Sequence, residues 1–193
     1  RDCSEEDFFK KIVDNAEDKS NPINLKYGDI NNQSYIDKII KSKPDLLIAY
    51  GCSIIKGELL NKFEGRFLNV HLGLSPYYRG SGTNYWPLVN NEPEYVGATF
   101  MYIDAGIDTG EIVHQIRAKY CWGDSPSQIC NRLISEMTSV YREIIIKFGM
   151  LQKLKQIPIP DNAKIYKNKD FSEESVQKLY DNFKKGLVEK YLR

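Results

Sequence analysis

The stretch NVHLGLSPYYRG, residues 69–80, sets an asparagine and a histidine two positions apart, Asn69 and His71, and the chain has only one other histidine. The run leading in, RFLNV, is apolar and strand-like, while Pro76, Arg79 and Gly80 mark the run leading out as a loop. On a strand, residues two apart face the same side. A carboxamide NH2 and an imidazole N–H side by side donate to one oxygen, which is the equipment of an oxyanion site for acyl chemistry. A lone histidine is more commonly a satisfied core residue, so other groups must decide between the readings. A carboxylate beside the imidazole would orient it and favour its charged form.

The candidate carboxylate is Asp108 in AGIDTG, flanked by Gly106 and Gly110, whose freedom suits a tight turn and a close approach of backbone to ligand. Asp104 competes for that role, although an Asp in a turn is often an Asx cap. The chain has no G-x-S-x-G and no G-x-G-x-x-G, and no Ser or Cys stands with a matching base. Stabilising donors without a protein nucleophile imply direct attack by a substrate amine or by water. His114, in EIVHQI, has no carboxylate at a useful spacing and reads as structural or exposed.

The elements that must carry these residues follow from periodicity. Ser4 and Asp7 form a capping-box pattern ahead of Phe8, Phe9, Ile12 and Val13, predicting a helix over 5–17. INLKY predicts a short strand, and Asn31 or Asn32 caps a helix that buries Tyr35, Ile36, Ile39 and Ile40. Leu46 to Ala49 form a continuous apolar run closed by Gly51, as in a strand buried on both faces of a parallel sheet. A helix near 57–63 leads to the strand RFLNVH. This β-α-β rhythm implies an α/β fold with a Rossmann-like, mostly parallel sheet and helices on both faces, where ligands sit beyond the strands' carboxyl ends. AYGCS and NVHLG both lie at such ends.

Thr83 to Val89 reads as a helix, and VGATFMYI and EIVHQIRAKY as a pair of strands joined by the AGIDTG turn. Asp124-Ser125-Pro126 with Gln128 is a strong helix start, and Ile129, Leu133, Met137, Val140, Ile144 and Phe148 keep helical spacing to Gly149, the expected C-cap. IPIPDN is a linker and AKIY a short strand. Ser172 caps a last amphipathic helix carrying Val176, Leu179, Phe183, Leu187 and Tyr191. Residues 1–155 are therefore expected to form the main domain and 156–193 a C-terminal linker, strand and helix. The apolar face of that helix suits packing on the domain or on a second copy, so a homodimer is one expectation.

Composition narrows the partners. With 27 basic and 26 acidic residues the formal net charge is +1, which gives no reason to expect nucleic acid or a membrane surface as the main partner. Cys3, Cys52, Cys121 and Cys130 form no CxxC pair and no metal-ligand spacing with histidine, so four free thiols in a reducing, cytoplasmic setting are expected, with no metal. The sequence has no apolar run of membrane-spanning length, and no signal peptide is expected.

NVHLGLSPYYRG followed by VGATFMYIDAGIDTG resembles the formyltransferase family that uses 10-formyltetrahydrofolate, whose members formylate glycinamide ribonucleotide, methionyl-tRNA or amino sugars on nucleotides. N-x-H, a Pro-x-x-Arg-Gly loop, G-x-T and D-x-G stand in the family's order, over about residues 44–148. The resemblance implies a catalytic triad of Asn69, His71 and Asp108. In it Asn69 and protonated His71 hold the developing oxyanion, and Asp108 keeps His71 charged and helps move a proton to the leaving folate nitrogen. It implies a folate pocket beside Tyr50, Gly51, Cys52, Ser53, Ile54 and Ile55, closed by the backbone of Ile103, Asp104, Ala105, Gly106, Ile107 and Asp108. Ser75, Tyr77, Tyr78, Arg79, Gly80, Thr99 and Met101 match acceptor-side positions. Thr99 is as commonly a structural strand residue, and Met101 stands where several members carry histidine.

Family members open with a strand, a helix and a second strand before the part that matches residues 5–17, and that opening is expected to be missing here. For the acceptor, the aromatic rim of Tyr77, Tyr78, Tyr85 and Trp86 with Arg79 suits a nucleotide-linked amino sugar, although Tyr85 and Trp86 equally suit packing of their own helix. Glycinamide ribonucleotide and methionyl-tRNA are alternative acceptors. A hydrolase releasing formate and a non-catalytic folate-binding module are alternatives of a different class.

Overall fold

The computed structural model describes residues 2–161 and 163–193. Helix α1 spans Asp2–Asp14, α2 Gln33–Ser42 and α3 Gly57–Lys62, with strand β1 (Leu47–Ala49) between α2 and α3 and β2 (Phe67–His71) after α3. Strand β3 (Tyr78–Gly80) and helix α4 (Trp86–Val89) follow, then β4 (Gly97–Tyr102) and β5 (Ile112–Arg117). Helix α5 (Pro126–Ile146), β6 (Lys164–Tyr166), α6 (Glu173–Lys184) and α7 (Leu187–Tyr191) complete the chain.

The α/β class stands, and the four-stranded sheet, ordered β1-β2-β4-β5, is mixed rather than mostly parallel. β1 runs parallel to β2, whereas β2 with β4 and β4 with β5 are antiparallel. Alternation along β2 separates two cores. Leu68 and Val70 join Phe100, Ile129, Leu133 and Met137 under α5, while Phe67 joins Ile36, Leu59 and Phe63 under α2 and α3. Asn69 and His71 share the Phe67 parity and stand at the end where β2 leaves the sheet.

Several expectations need correction. The first helix begins at Asp2, so Ser4 lies within its first turns and is no cap; its carbonyl instead accepts from Asn131 Nδ2 at 3.0 Å. Phe8, Ile12 and Val13 stay exposed. INLKY forms no strand, because Ile23, Leu25 and Tyr27 find no ladder partner among the described residues. Among the described residues β1 has a strand neighbour on one side, and Ile48 is 47% exposed where a doubly buried strand was expected. The helix expected over 83–89 is confined to Trp86–Val89, after a turn in which the Tyr85 and Trp86 amides donate to the Gly82 carbonyl. α5 starts as predicted, with the Ser125–Gln128 capping box formed, but it caps at Lys147 and Gly149 falls in a following 3-10 turn. The last helix breaks at Gly186, where φ is +78° and glycine carries no steric cost.

The C-terminal segment returns to the main body. β6 pairs parallel with β3, a segment read from sequence as loop, and Leu179, Leu187 and Val188 enter the same buried cluster as Leu68 and Phe100. None of the four cysteines is in a disulfide. Among the described residues no helix is long and apolar enough to cross a membrane, and no three His, Cys, Asp or Glu side chains gather as a metal site.

Candidate active site

A cavity of about 760 Å³ opens where β1 and β2 end, and Asn69, His71 and Asp108 all line it. His71 is 7% exposed and both ring nitrogens are engaged. Nε2 lies 2.9 Å from the Tyr78 carbonyl and Nδ1 lies 3.4 Å from Asp108 Oδ2. A carbonyl only accepts, so Nε2 is the nitrogen that donates to Tyr78, and Nδ1 faces the Asp108 carboxyl group. This differs from the expectation that His71 offers a free N–H beside Asn69, because the loop after β2 folds back and presents the Tyr78 carbonyl to the ring. Asn69 is different: its carboxamide has no hydrogen-bond partner among the described residues and faces the cavity.

Asp108 is held in the left-handed region, φ +53°, a conformation Asp tolerates and most residues avoid. Its Oδ2 accepts from the Gly80 amide at 2.9 Å, and Gln156 Nε2 donates to the carbonyls of Asp108 and Gly110 at 3.0 and 2.8 Å. A Cβ on Gly110 would collide with the Tyr102 carbonyl, so the turn closes only on glycine. Asp104 is the Asx cap of that turn, accepting from the Gly106 amide at 3.0 Å and the Thr109 hydroxyl at 2.8 Å. Between the two candidate carboxylates, Asp108 is therefore the one at the imidazole.

The expected folate positions line the cavity from Tyr50 to Ile55 and from Ile103 to Asp108, with Ala105 the exception. Burial pushes the Cys52 thiol above its ordinary pKa, so it stands there as a neutral, weakly polar surface. Of the expected acceptor positions, Gly80 and Met101 line the cavity, Met101 lying directly opposite Asn69 in the ladder. Ser75, Tyr77, Tyr78, Arg79 and Thr99 do not. Thr99 is fully buried; its hydroxyl donates to the Gly73 carbonyl at 2.7 Å and accepts from the Ser75 amide at 3.0 Å, so both residues fix the loop. The Tyr78 hydroxyl turns away to donate to Glu92, and burial with that neighbour pushes its pKa far up. Tyr77 packs its ring on Tyr95 at 4.8 Å, and Arg79 is 93% buried within β3, leaving 7% exposed. Trp86 is stacked on Tyr166 at 4.4 Å rather than standing on a rim, whereas Tyr85 does line the cavity. His114 lies exposed on β5 with its ring against Phe100.

Sequence reading missed the side of the cavity supplied by Thr83, Asn84 and, from the C-terminal segment, Phe171, Val176 and Tyr180. Asn84 is 7% exposed, and neither its Nδ2 nor its Oδ1 has a partner among the described residues. No local spacing signals these residues, because tertiary packing alone brings 171–180 to residues 80–85.

Residues 9–145, well over half of the chain, match the formyl transferase family. The chain belongs to that family. Among curated relatives, the methionyl-tRNA formyltransferase of Desulforamulus reducens is 33% identical over 125 residues, 64% of this chain and 38% of that protein. The enzyme of the same name from Alkaliphilus oremlandii is 29% identical over 135 residues, 69% of this chain. This family chain spans 38% and 42% of the length of these two relatives. The formyltransferase PseJ from Anoxybacillus kamchatkensis, solved with UDP-4,6-dideoxy-4-formamido-L-AltNAc and tetrahydrofolate, superposes with a TM-score of 0.58 at 27% identity, covering 90% of both chains. A phosphoribosylglycinamide formyltransferase from Streptococcus pneumoniae has a TM-score of 0.54 at 24% identity and covers 60% of this chain, a likeness of fold.

Proposed function

We propose that the chain transfers a formyl group from 10-formyltetrahydrofolate to a primary amine of a small acceptor, a nucleotide-linked amino sugar. The observation that carries the reading is the cavity lining: an unpartnered carboxamide, Asn69, beside a buried imidazole–carboxylate pair, His71 and Asp108. The formyl donor supplies an activated acyl carbon. The apolar wall from Tyr50 to Ile55 and the backbone of 103–108 suit its flat ring system, and the free NH2 of Asn69 fits an acyl oxygen on which charge develops. The His71–Asp108 pair offers a path by which the proton lost by the attacking amine reaches the leaving nitrogen, directly or through an intervening water. The acceptor amine enters from the side of Gly80, Asn84 and Tyr85.

Support for a sugar nucleotide comes from coverage. The likeness to the sugar-nucleotide enzyme extends over 90% of this chain, whereas that to the ribonucleotide enzyme extends over 60%. The methionyl-tRNA acceptor is the second reading, favoured by the curated relatives. Both are tested by incubating the chain with 10-formyltetrahydrofolate and a panel of amines and following tetrahydrofolate release. Release that requires a nucleotide-linked amino sugar supports the reading; release without any amine makes the protein a hydrolase, and folate binding without release makes it a binding module.

A further inference from the structure

We infer that Tyr166, in the C-terminal strand β6, is a positioning residue for the His71–Asp108 pair, acting through β3; the inference rests on the formyl-transfer reading above. β3 supplies a hydrogen bond to each member of the pair. The Tyr78 carbonyl accepts from His71 Nε2 at 2.9 Å, and the Gly80 amide donates to Asp108 Oδ2 at 2.9 Å. Three consecutive residues thus set the relation of imidazole to carboxylate. β3 lies outside the main sheet, and its ladder partner is β6, with Tyr78, Arg79 and Gly80 opposite Lys164, Ile165 and Tyr166.

Tyr166 holds β3 from three directions. Its ring stacks on Trp86 at 4.4 Å and on Tyr78 at 6.0 Å, with interplanar angles of 8° and 6°. Its hydroxyl accepts from Asn90 Nδ2 at 2.8 Å, and the same amide reaches the Tyr78 hydroxyl at 2.9 Å. Its carbonyl accepts from the Ser81 amide at 2.9 Å and lies so close to Gly80 that a Cβ there would collide with it. The ring stack fixes the Tyr78 side chain, the carbonyl fixes the turn at Gly80, and those two residues bear the bonds to His71 and Asp108. Catalytic groups misplaced by about 1 Å lose on the order of 10²-fold in rate.

The test compares Tyr166→Ala, Tyr166→Leu and Tyr166→Phe in the full chain. The readouts are kcat, KM for 10-formyltetrahydrofolate, and the downfield imidazole N–H proton resonance of His71, assigned with His114→Gln because the chain has two histidines. Tyr166→Ala and Tyr166→Leu are expected to lower kcat by about 30- to 100-fold with KM for the formyl donor within about threefold, and to shift or broaden the His71 resonance. Tyr166→Phe, which keeps the stack, is expected to stay within about threefold of the native kcat and to keep the resonance. Leu retains apolar bulk, so it serves if Ala does not fold. A folded Ala or Leu variant with native kcat or an unmoved resonance overturns the inference. So does a loss of rate fully matched by a loss of folate-binding sites, which marks a purely structural role. If the native chain moves no formyl group, the functional reading fails and the resonance alone decides whether Tyr166 positions His71.

Discussion

The two sides of the cavity are built differently. The imidazole–carboxylate pair is held, the ring by Tyr78 and Asp108, the carboxylate by Gly80, the turn by Gln156. The wall after the edge strand β1 is loosely covered: Tyr50 is 51% exposed and Ile54 61%. The difference separates two demands. Groups that handle charge and protons must be preorganised, because their geometry cannot be found anew during the reaction. A wall that recognises a flat apolar partner needs only area, and burial of that area comes with the ligand.

Asn69→Ala gives the largest expected effect and the sharpest test of this contrast. It should lower kcat by about 10²- to 10³-fold, roughly 3–4 kcal/mol, with the melting temperature nearly unchanged, since its carboxamide has no partner to lose in the fold. Steady-state kinetics beside a thermal melt decide it; a melt several degrees lower would make Asn69 part of the scaffold. Gly80→Ala should come next. The new Cβ meets the Tyr166 carbonyl at a φ of +91°, so denaturant unfolding should show a loss of about 1–3 kcal/mol, with catalytic rate falling as Asp108 loses its donor.

The start of α5, which borders the cavity, belongs to the held side and adds a pH signature. Arg132 donates to both Asp124 oxygens, at 2.9 and 2.7 Å, and holds that carboxyl below its ordinary pKa. A folded pKa below the unfolded value contributes stability above about pH 4 that disappears as pH falls through the folded value. The stability gap between native chain and Asp124→Asn should therefore be widest at neutral pH, about 1–2 kcal/mol, and close in acid. Unfolding titrations at several pH values measure it, and a gap that widens in acid would reverse the assignment. On the loose wall, Ile54→Ala should act last and least, raising KM for the formyl donor about 3- to 10-fold with kcat kept and stability changed by under about 0.5 kcal/mol. A melt lowered well beyond that would show the wall to be scaffold.

Much of the fold was legible because its signals are local. The α5 cap was readable from Ser125 and Gln128 because a capping box closes within one turn. Ser172 opened α6 for the same reason. Leu46 to Ala49 misled, because an apolar run states that a strand is buried without stating which neighbours bury it, and β1 lies at an edge. INLKY misled likewise, having strand composition but no ladder partner among the described residues. In the site, Tyr78, Arg79 and Thr99 were the right types for an acceptor pocket, yet their side chains serve the scaffold. Phe171, Val176 and Tyr180 gave no signal of a place in the cavity, since nothing within their own segment refers to residues 80–85.

The sequence by itself determined that Asn69 and His71 share one face of β2, that Asp108 stands between two glycines in a turn, and that no nucleophile motif such as G-x-S-x-G is present. These follow from strand period, glycine stereochemistry and residue type, which act over a few positions. Only the tertiary structure decided that Asp108 rather than Asp104 meets the imidazole, that the Tyr78 carbonyl takes its other nitrogen, and that β6 closes on β3. Those outcomes depend on contacts such as that between Asn90 and Tyr166, 76 residues apart, and such contacts form when burial and backbone pairing across the whole fold offset the entropy of closing the chain between them.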